Sequence, residues 1–296
     1  LQGTRSRAPL TKQPTITSPS RKLPVLARVD AVVVGGGTGG APAGIGAVRG
    51  GAKTLVIEYL NGLGGIGTMG KINNYWHGNQ VGVTDEVTKA TGGRRWNIEK
   101  RMEWCRREIV KAGGEVWYQS LGCGSVVRDK RFVGVVVATP FGRGVVLANT
   151  VIDSTGNAVI PACAGAPTVQ IGAEHIRVQG TGLPPSAPGG DHFNTDWTFA
   201  DDDDVVDMWR MFVIGKNKYA EAVDIGQLID TRSRRTIIGD IFLTPLDIWN
   251  KRTFPDTITV AKSNYDNHGF TIHEMFMFPL PRSKGDEVGH IPYRAL

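Results

Sequence analysis

The feature that most constrains this chain is a glycine-rich turn between two apolar stretches near its start. Residues 31–34 predict a buried strand, and they lead directly into a Gly-x-Gly-x-x-Gly motif at 35–40. A helix of small residues and a second predicted strand at 54–57 come next, and Glu58 lies 18 residues after the last glycine. Glycines at this spacing carry little information alone. Between two strands and followed by an acid, they indicate a βαβ unit that binds a dinucleotide.

Each residue of this motif has a physical role in such a site. Gly35 permits the tight turn out of the strand, Gly37 lets the backbone approach a pyrophosphate, and Gly40 lets the helix pack closely on the sheet. The N-terminus of that helix then offers free N–H groups and a partial positive charge to the phosphates. Glu58 would accept hydrogen bonds from a ribose diol, and its charge disfavours the extra phosphate of NADP. The alternative is a glycine-rich turn that binds no ligand.

The net charge of +6 suggests nucleic acid at first sight, but its distribution argues against such a partner. Residues 1–28 hold six basic side chains and no acidic one, and the rest of the chain has equal numbers of each. The Ser-, Thr- and Pro-rich segment 1–28 is therefore expected to be a basic, disordered arm. No stretch of about 18 apolar residues predicts a membrane span. The start shows no charged-then-apolar signal segment, and the sequence leaves the localisation open.

The three cysteines do not indicate a metal site or a disulfide framework. Cys105, Cys123 and Cys163 are odd in number and far apart, and none has the spacing of a zinc ligand pair. We therefore expect three buried thiols and no bound metal.

The remaining patterns divide the chain into an α/β domain at 29–165 and a mixed α+β region at 166–296. Residues 97–112 predict an amphipathic helix with Asn97 as its N-cap and two glycines after its end. Residues 125–152 predict a three-stranded meander, which is a common insertion in dinucleotide-binding domains. The last of these strands opens into the polar turn 153–157, a type of segment that lies against a bound nucleotide.

These segments, together with 63–68, 232–240 and 289–296, resemble the FAD-dependent oxidoreductases of the glutathione-reductase-like superfamily. These are flavoproteins with two dinucleotide-binding folds, and within them the chain is most similar to the bacterial family called FAD dependent oxidoreductase. The resemblance runs from about residue 29 to the end. It implies a Rossmann-like FAD-binding domain with a β-meander insertion, a mixed α+β substrate or cap domain, and FAD as the cofactor.

The resemblance also implies which residues contact FAD. The pyrophosphate would lie on the helix that begins near Gly40, the adenosine ribose on Glu58, and the adenine against the backbone near Val126. The full set implied is Gly35, Gly37, Thr38, Gly39, Gly40, Glu58, Tyr59, Gly64, Gly65, Thr68, Met69, Val126, Thr155 and Gly156.

One departure from the family pattern concerns the last segment. In the family, the motif at 291–296 is followed by another strand and a helix that points at the flavin, and this sequence stops at Leu296. The sheet is therefore expected to be incomplete at the C-terminal side. The resemblance then implies a second polypeptide that supplies the C-terminal half of the FAD fold, so that the protein would be a heteromer.

The sequence offers candidates for chemistry but does not choose among them. A general base could be His77 or His268, with His273 as a further candidate, or it could lie outside this sequence. Each histidine could instead be a structural or surface residue. Arg232, Arg234 and Arg235 could bind an anionic substrate or a partner carboxylate, or they could form ion pairs with neighbouring aspartates.

Three functions remain open. The first is an oxidoreductase that transfers a hydride from a small organic substrate, such as a sugar or another alcohol, to FAD. The second is a flavin-bearing subunit of an electron-transfer complex whose iron–sulfur or haem groups lie in other subunits. The third is an RNA-linked flavoprotein that uses the basic arm, which the neutral charge of residues 29–296 argues against.

Overall fold

The computed structural model describes residues 22–70, 72–75, 80–172, 205–218, 234–263 and 287–295, and the isolated positions 14, 16, 175, 182–183, 193–194 and 220. Most of the predicted arm lies outside the described residues, as do His77, His268, His273 and Arg232. The helices are α1 (Gly40–Arg49), α2 (Val83–Thr91), α3 (Ile98–Lys111), α4 (Val159–Cys163), α5 (Val205–Lys218) and α6 (Pro245–Trp249). The strands are β1 (Val25–Val34), β2 (Thr54–Ile57), β3 (Glu115–Trp117), β4 (Leu121–Arg128), β5 (Arg131–Thr139), β6 (Gly142–Asp153), β7 (Thr168–Ile171), β8 (Gly182–Leu183), β9 (Phe193–Asn194), β10 (Arg234–Ile237), β11 (Thr257–Ser263) and β12 (Glu287–Pro292).

A six-stranded mixed sheet organises the first half of the chain, in the order β3-β2-β1-β6-β5-β4. Strands β3, β2, β1 and β6 are parallel, and β5 and β4 continue the sheet in antiparallel fashion. This is the α/β, Rossmann-like fold with a meander that the sequence predicts.

The sheet is buried on both faces because β1 alternates its side chains between two apolar clusters. Val32 and Val34 pack in one cluster with β2, β5 and Ile160 of α4. Val33 packs in the other with Ile45 of α1 and Ile109 of α3. Near-continuous apolar sequence in β1 and β2 is what strands covered on both faces require.

The registers place three strand ends at one edge. Val34, the last residue of β1, pairs with Ile57 at the end of β2 and with Asp153 at the end of β6. The residues that come after these strands therefore meet at the carboxyl edge of the parallel sheet, where ligands bind in open α/β sheets.

Local signals predict several elements well. Helix α3 begins after Asn97, whose side chain accepts a hydrogen bond of 2.8 Å from the Lys100 N–H, as expected for an N-cap. The meander forms at the predicted place, and its outer ends, Leu121 and Asp153, lie four residues and one residue beyond the predicted range 125–152.

Two sequence expectations need correction. The arm does not extend to residue 28, because β1 begins at Val25 and pairs with the long strand β6 as far as Val145. The expectation of three buried thiols holds for Cys105 only. Cys123 is half-buried, and Cys163 is exposed because α4 ends there at the surface.

Three antiparallel strand pairs lie outside the six-stranded sheet among the described residues of the later part of the chain. Strand β10 pairs with β7, β8 with β9, and β11 with β12. Among the residues described, no helix is long and apolar enough to cross a membrane.

Candidate functional site

A cavity of about 710 Å³ opens at the carboxyl edge of the parallel strands. Its volume lies within the range of pockets that hold small molecules and cofactors. Five stretches of the chain and one isolated side chain line it, within residues 34–39, 57–60, 65–70, 120–122 and 153–159, and Arg234 of β10.

The first wall is the turn between β1 and α1. Gly35 has a φ of +91°, a conformation that favours glycine, and an added Cβ there would overlap the Ser154 carbonyl oxygen. A Cβ on Gly40 would overlap the Gly35 carbonyl oxygen, so the helix can approach the strand this closely only without a side chain. These contacts match the roles that the motif predicts for the two glycines.

The N-terminus of α1 faces this cavity without a side-chain cap. Its N-cap is Gly39, which has no side chain to accept a hydrogen bond from the first turn. The Ala41 N–H already donates to the Gly37 carbonyl oxygen at 3.0 Å and Pro42 has no N–H, so the N–H groups of Gly39 and Gly40 are the ones left to a ligand at this helix start, where the helix dipole favours an anion. Gly37 also lines the cavity, and a Cβ there would have only the Gly65 Cα within 4.0 Å, so a side chain would enter the space itself.

The second wall is another glycine loop, which packs directly on the first. The Gly64 N–H donates to the Gly36 carbonyl oxygen at 2.8 Å, and the Thr38 hydroxyl donates to the Gly64 carbonyl oxygen at 3.2 Å. Gly65 has a φ of +54°, and a Cβ on it would lie 2.9 Å from the Gly37 Cα. The two loops thus present bare backbone to the cavity from two sides.

Thr68 holds this second loop in shape from behind. Its hydroxyl is buried and donates to the Leu63 carbonyl oxygen at 2.6 Å. Met69 and Gly70, which come directly after it, reach the cavity.

Glu58 is the buried acid of the site, with 3% of its surface exposed. One carboxylate oxygen accepts the Gly36 N–H at 2.7 Å and the other accepts the Leu60 N–H at 2.8 Å. Burial raises the pKa of Glu58, and the backbone N–H donors oppose that shift. Since each carboxylate oxygen can accept more than one hydrogen bond, Glu58 can hold the glycine turn and still accept a ligand hydroxyl.

The third wall is the turn after β6. The Asp153 carboxylate accepts the Thr155 N–H at 3.1 Å, and the Thr155 hydroxyl accepts the Val159 N–H at 3.1 Å, which fixes the start of α4. Two arginines of β10 hold this turn from outside. Arg234 Nη1 donates to the Gly156 carbonyl oxygen at 3.4 Å, and Arg235 Nε donates to the Asn157 carbonyl oxygen at 2.9 Å.

The structure brings most of the predicted cofactor residues to one place. Ten of the fourteen line the cavity, and Gly40, Gly64 and Thr68 support its walls from behind. Val126 is not brought there. It lies in the middle of β4, and the residues that reach the cavity near the start of β4 are Ser120, Leu121 and Gly122.

The sequence does not predict these three residues as part of the site, because they lie in a turn and at the start of β4, ahead of the predicted meander. The β10 arginines are candidates for an anionic substrate, but no sequence pattern places Arg234 in the cofactor site. Arg234 contacts a turn 78 residues earlier in the chain, and no local pattern predicts such a contact. The structure also pairs Arg235 with a backbone carbonyl, a partner that the sequence does not suggest.

A glycine cradle at a helix N-terminus, next to a buried acid at the end of the second strand, defines a dinucleotide-binding protein of the Rossmann-like class. The family model described as FAD dependent oxidoreductase matches residues 30–223. The chain therefore belongs to the FAD dependent oxidoreductase family, and FAD is its cofactor. No curated protein matches the sequence.

Several solved structures are similar at low identity. A geranylgeranyl bacteriochlorophyll reductase-like protein from Thermoplasma acidophilum is 17% identical, with 71% of this chain and 66% of that chain covered and a TM-score of 0.42. THI4 from Thermovibrio ammonificans is 19% identical, with 51% and 67% covered and a TM-score of 0.40. A 3-ketosteroid-Δ4-(5α)-dehydrogenase from Rhodococcus jostii RHA1 is 17% identical, with 48% and 50% covered and a TM-score of 0.33.

The chain spans about two thirds of the length of the first two of these proteins and half of the third. Their names indicate different reactions. At this level of similarity they say nothing about the substrate of this protein.

Proposed function

We propose that this chain forms the FAD-binding part of an oxidoreductase that transfers a hydride from a small organic substrate, such as a sugar or another alcohol, to the flavin. The observation that carries the proposal is the cavity between the two glycine loops, with the uncapped N-terminus of α1 on one side and buried Glu58 on another. When bound, the flavin supplies the redox chemistry, and the protein supplies binding, orientation and exclusion of water.

Within this proposal the first glycine turn holds the pyrophosphate. Gly37 leaves room for phosphate oxygens, and the N–H groups of Gly39 and Gly40 at the start of α1 donate to them. Gly35 and Gly40 do not touch the ligand in this assignment. They allow the close packing of helix on strand that aims those N–H groups at the cavity.

Glu58 accepts hydrogen bonds from the adenosine ribose in this proposal. Its carboxylate lines the cavity, and its bonds to Gly36 and Leu60 fix the orientation of the carboxylate before the ligand arrives. Tyr59 is next in the chain, lines the same cavity and is 57% exposed, so its ring is available to cover the adenosine. The adenine is assigned to the backbone of 120–122, in place of Val126.

The other walls complete the assignment. Gly65 and Met69 of the second loop face the pyrophosphate and the ribityl chain, while Thr155 and Gly156 close over the nucleotide from the third side. The general base remains a prediction, with His77 and His268 as the candidates. It is tested by comparing the turnover of the alanine variants of each with that of the wild type.

The first test is the visible absorption spectrum of the purified full chain after incubation with FAD and gel filtration. Retained flavin absorbance supports the site, and a chain that retains none and gains no thermal stability with FAD contradicts it. A matched pair sharpens the result. Glu58→Gln should weaken FAD binding, and Glu103→Gln, an exposed change on α3 outside the cavity, should not.

The second test addresses the reaction. The flavin-loaded protein is mixed anaerobically with sugars and simple alcohols, and bleaching of the flavin band is monitored. Bleaching by a substrate, with oxygen uptake when air is admitted, is the expected result. Bleaching without oxygen uptake would favour an electron-transfer subunit, and no bleaching by any member of the panel would refute the proposed substrate class.

A second polypeptide that completes the fold stays a prediction, and the comparisons do not support it. Native mass spectrometry of the protein from its source tests it directly. A single-chain mass would refute it.

A further inference from the structure

We propose that Arg234 is a ligand of the FAD pyrophosphate, supplied by β10 from outside the βαβ unit. This inference rests on the proposed function, because it concerns the same cofactor site. It adds a charged residue that the glycine motif does not contain, from a part of the chain expected to form the substrate or cap region.

The first support is position. Arg234 lines the same cavity as Gly37, Thr38 and Gly39 at the N-terminus of α1. Its guanidinium lies beside the turn after β6, with Nη1 3.4 Å from the Gly156 carbonyl oxygen. A Cβ on Gly156 would lie 2.9 Å from the same Nη1, so glycine at 156 leaves the arginine its place.

The second support is that β10, which carries Arg234, is connected by hydrogen bonds to the turn after β6 and through it to β1, the strand that leads into the glycine turn. Arg235, its neighbour, bonds the Asn157 carbonyl oxygen at 2.9 Å, and β10 pairs with β7 through Arg234 and Ile171. The turn after β6 is in turn tied to β1, because the Ser154 N–H donates to the Val34 carbonyl oxygen at 2.8 Å. The strand that carries Arg234 is therefore tied, through the turn after β6, to the end of β1, directly before the glycine turn.

The third support is charge. Among the described side chains that line the cavity, Glu58 and Asp153 are acidic, and Arg234 is the single basic one. A pyrophosphate is dianionic, and the partial charge of a helix N-terminus offsets only part of that. A guanidinium also matches phosphate geometry, since its planar N–H groups can donate to two oxygens at once.

The competing explanation is purely structural, with Arg234 serving only to hold the turn after β6. Arg235 provides the matched control, because it also holds that turn but does not line the cavity. A structural role predicts that losing either arginine disturbs every ligand of the site. The phosphate role predicts that losing Arg234 weakens the binding of ligands that carry phosphate far more than the binding of adenosine.

The experiment measures equilibrium binding of FAD, ADP and adenosine to the wild type, Arg234→Gln, Arg234→Lys and Arg235→Gln. For Arg234→Gln we expect about 10- to 100-fold weaker binding of FAD and ADP, the usual range for losing a hydrogen bond between charged groups. Adenosine binding should stay within about twofold of the wild type, a change too small to reflect a lost charged contact. For Arg234→Lys, the affinities for FAD and ADP should lie between those of the wild type and Arg234→Gln. For Arg235→Gln, the affinities for all three ligands should change by the same factor.

The outcomes separate the possible failures. Unchanged ADP and FAD binding in Arg234→Gln, or an equal loss for adenosine, would overturn the phosphate role. If Arg234→Gln does not fold, the ratio of ADP to adenosine affinity in Arg234→Lys decides in the same way. A wild type that binds neither FAD nor ADP would overturn the cofactor site itself. None of these readouts involves turnover, so failure of the proposed substrate oxidation leaves the result intact.

Discussion

Replacing either of two glycines of α1 by alanine should change the free energy of unfolding, in opposite directions for the two positions. The pair therefore tests how closely α1 packs on β1 at the glycine turn. Gly40 is buried at the first position of the helix, and Gly46 is exposed near its middle. Both changes add one methyl group to the same helix, so the difference between them isolates the environment of that methyl group.

At Gly46 the methyl group meets nothing within 4 Å. Alanine favours the helix interior over glycine by about 0.8–1.0 kcal/mol, so Gly46→Ala should raise the free energy of unfolding by up to about that amount. At Gly40 the methyl group overlaps the Gly35 carbonyl oxygen and lies 3.1 Å from the Ser154 Cβ. A backbone oxygen cannot rotate away, so α1 must move off β1, and overpacking of this kind costs about 1–3 kcal/mol.

Urea unfolding measures both changes, and thermal unfolding checks their sign. A change of 1 kcal/mol shifts Tm by about 2–4 °C in a domain of 150–250 residues, so the two variants should move in opposite directions by resolvable amounts. FAD affinity should drop in Gly40→Ala and stay unchanged in Gly46→Ala, because only the first moves the N–H groups of the cradle. Equal stability of the two variants, or unchanged FAD affinity in Gly40→Ala, would refute the packing argument.

Three further predictions concern titrating groups. Because burial raises the pKa of Glu58, its ionisation costs stability, and this cost grows as pH rises through the raised value. The stability advantage of the wild type over Glu58→Gln in urea unfolding should therefore shrink as pH rises above about 4.5, the ordinary pKa of the carboxyl. Burial raises the pKa of the Cys105 thiol to about 11, so Cys105 should react with a thiol reagent at pH 8 far more slowly than exposed Cys163. Serine variants of each cysteine show which thiol gives which reaction rate, and equal rates for Cys105 and Cys163 would contradict the prediction. The Arg294 guanidinium lowers the pKa of Asp256 to about 2, so the contribution of this ion pair is present above about pH 4 and is lost as pH falls towards 2. Acid unfolding curves of the wild type and Asp256→Asn should converge over that window, and a constant gap would contradict the assignment.

The parts of the fold that sequence predicts are those set by neighbours in the chain. The glycine turn, the Asn97 cap and the alternation of the meander each depend on residues within a few positions of one another. Their physical causes, which are backbone freedom, a side-chain acceptor and a period of two, leave a visible pattern in the sequence. The sequence therefore predicts these elements to within a few residues.

The parts that sequence does not predict depend on register and on distant contacts. The resemblance assigns the adenine to Val126, but β4 and β5 pair with register shifts near Gly122 and Val126. Such shifts decide which residues of a strand reach its end, and hydrophobic alternation does not encode them. The cavity is reached instead at 120–122.

Arg234 is a second residue whose contacts the sequence does not predict, and its position has a consequence for stability. The other residues that line the cavity lie within 34–70 and 120–159, while Arg234 lies on β10, whose partner β7 comes after α4. A ligand that contacts both Arg234 and the glycine turn joins these two parts of the chain through its own phosphates. Since a ligand that binds only the folded state stabilises whatever it contacts, FAD should protect the β7–β10 pair as well as the βαβ unit. Adenosine, which lacks the phosphates, should protect the βαβ unit alone. Amide hydrogen exchange at Val169 and Thr236, compared between the two ligands, distinguishes a cofactor that spans both parts from one held by the glycine turn only.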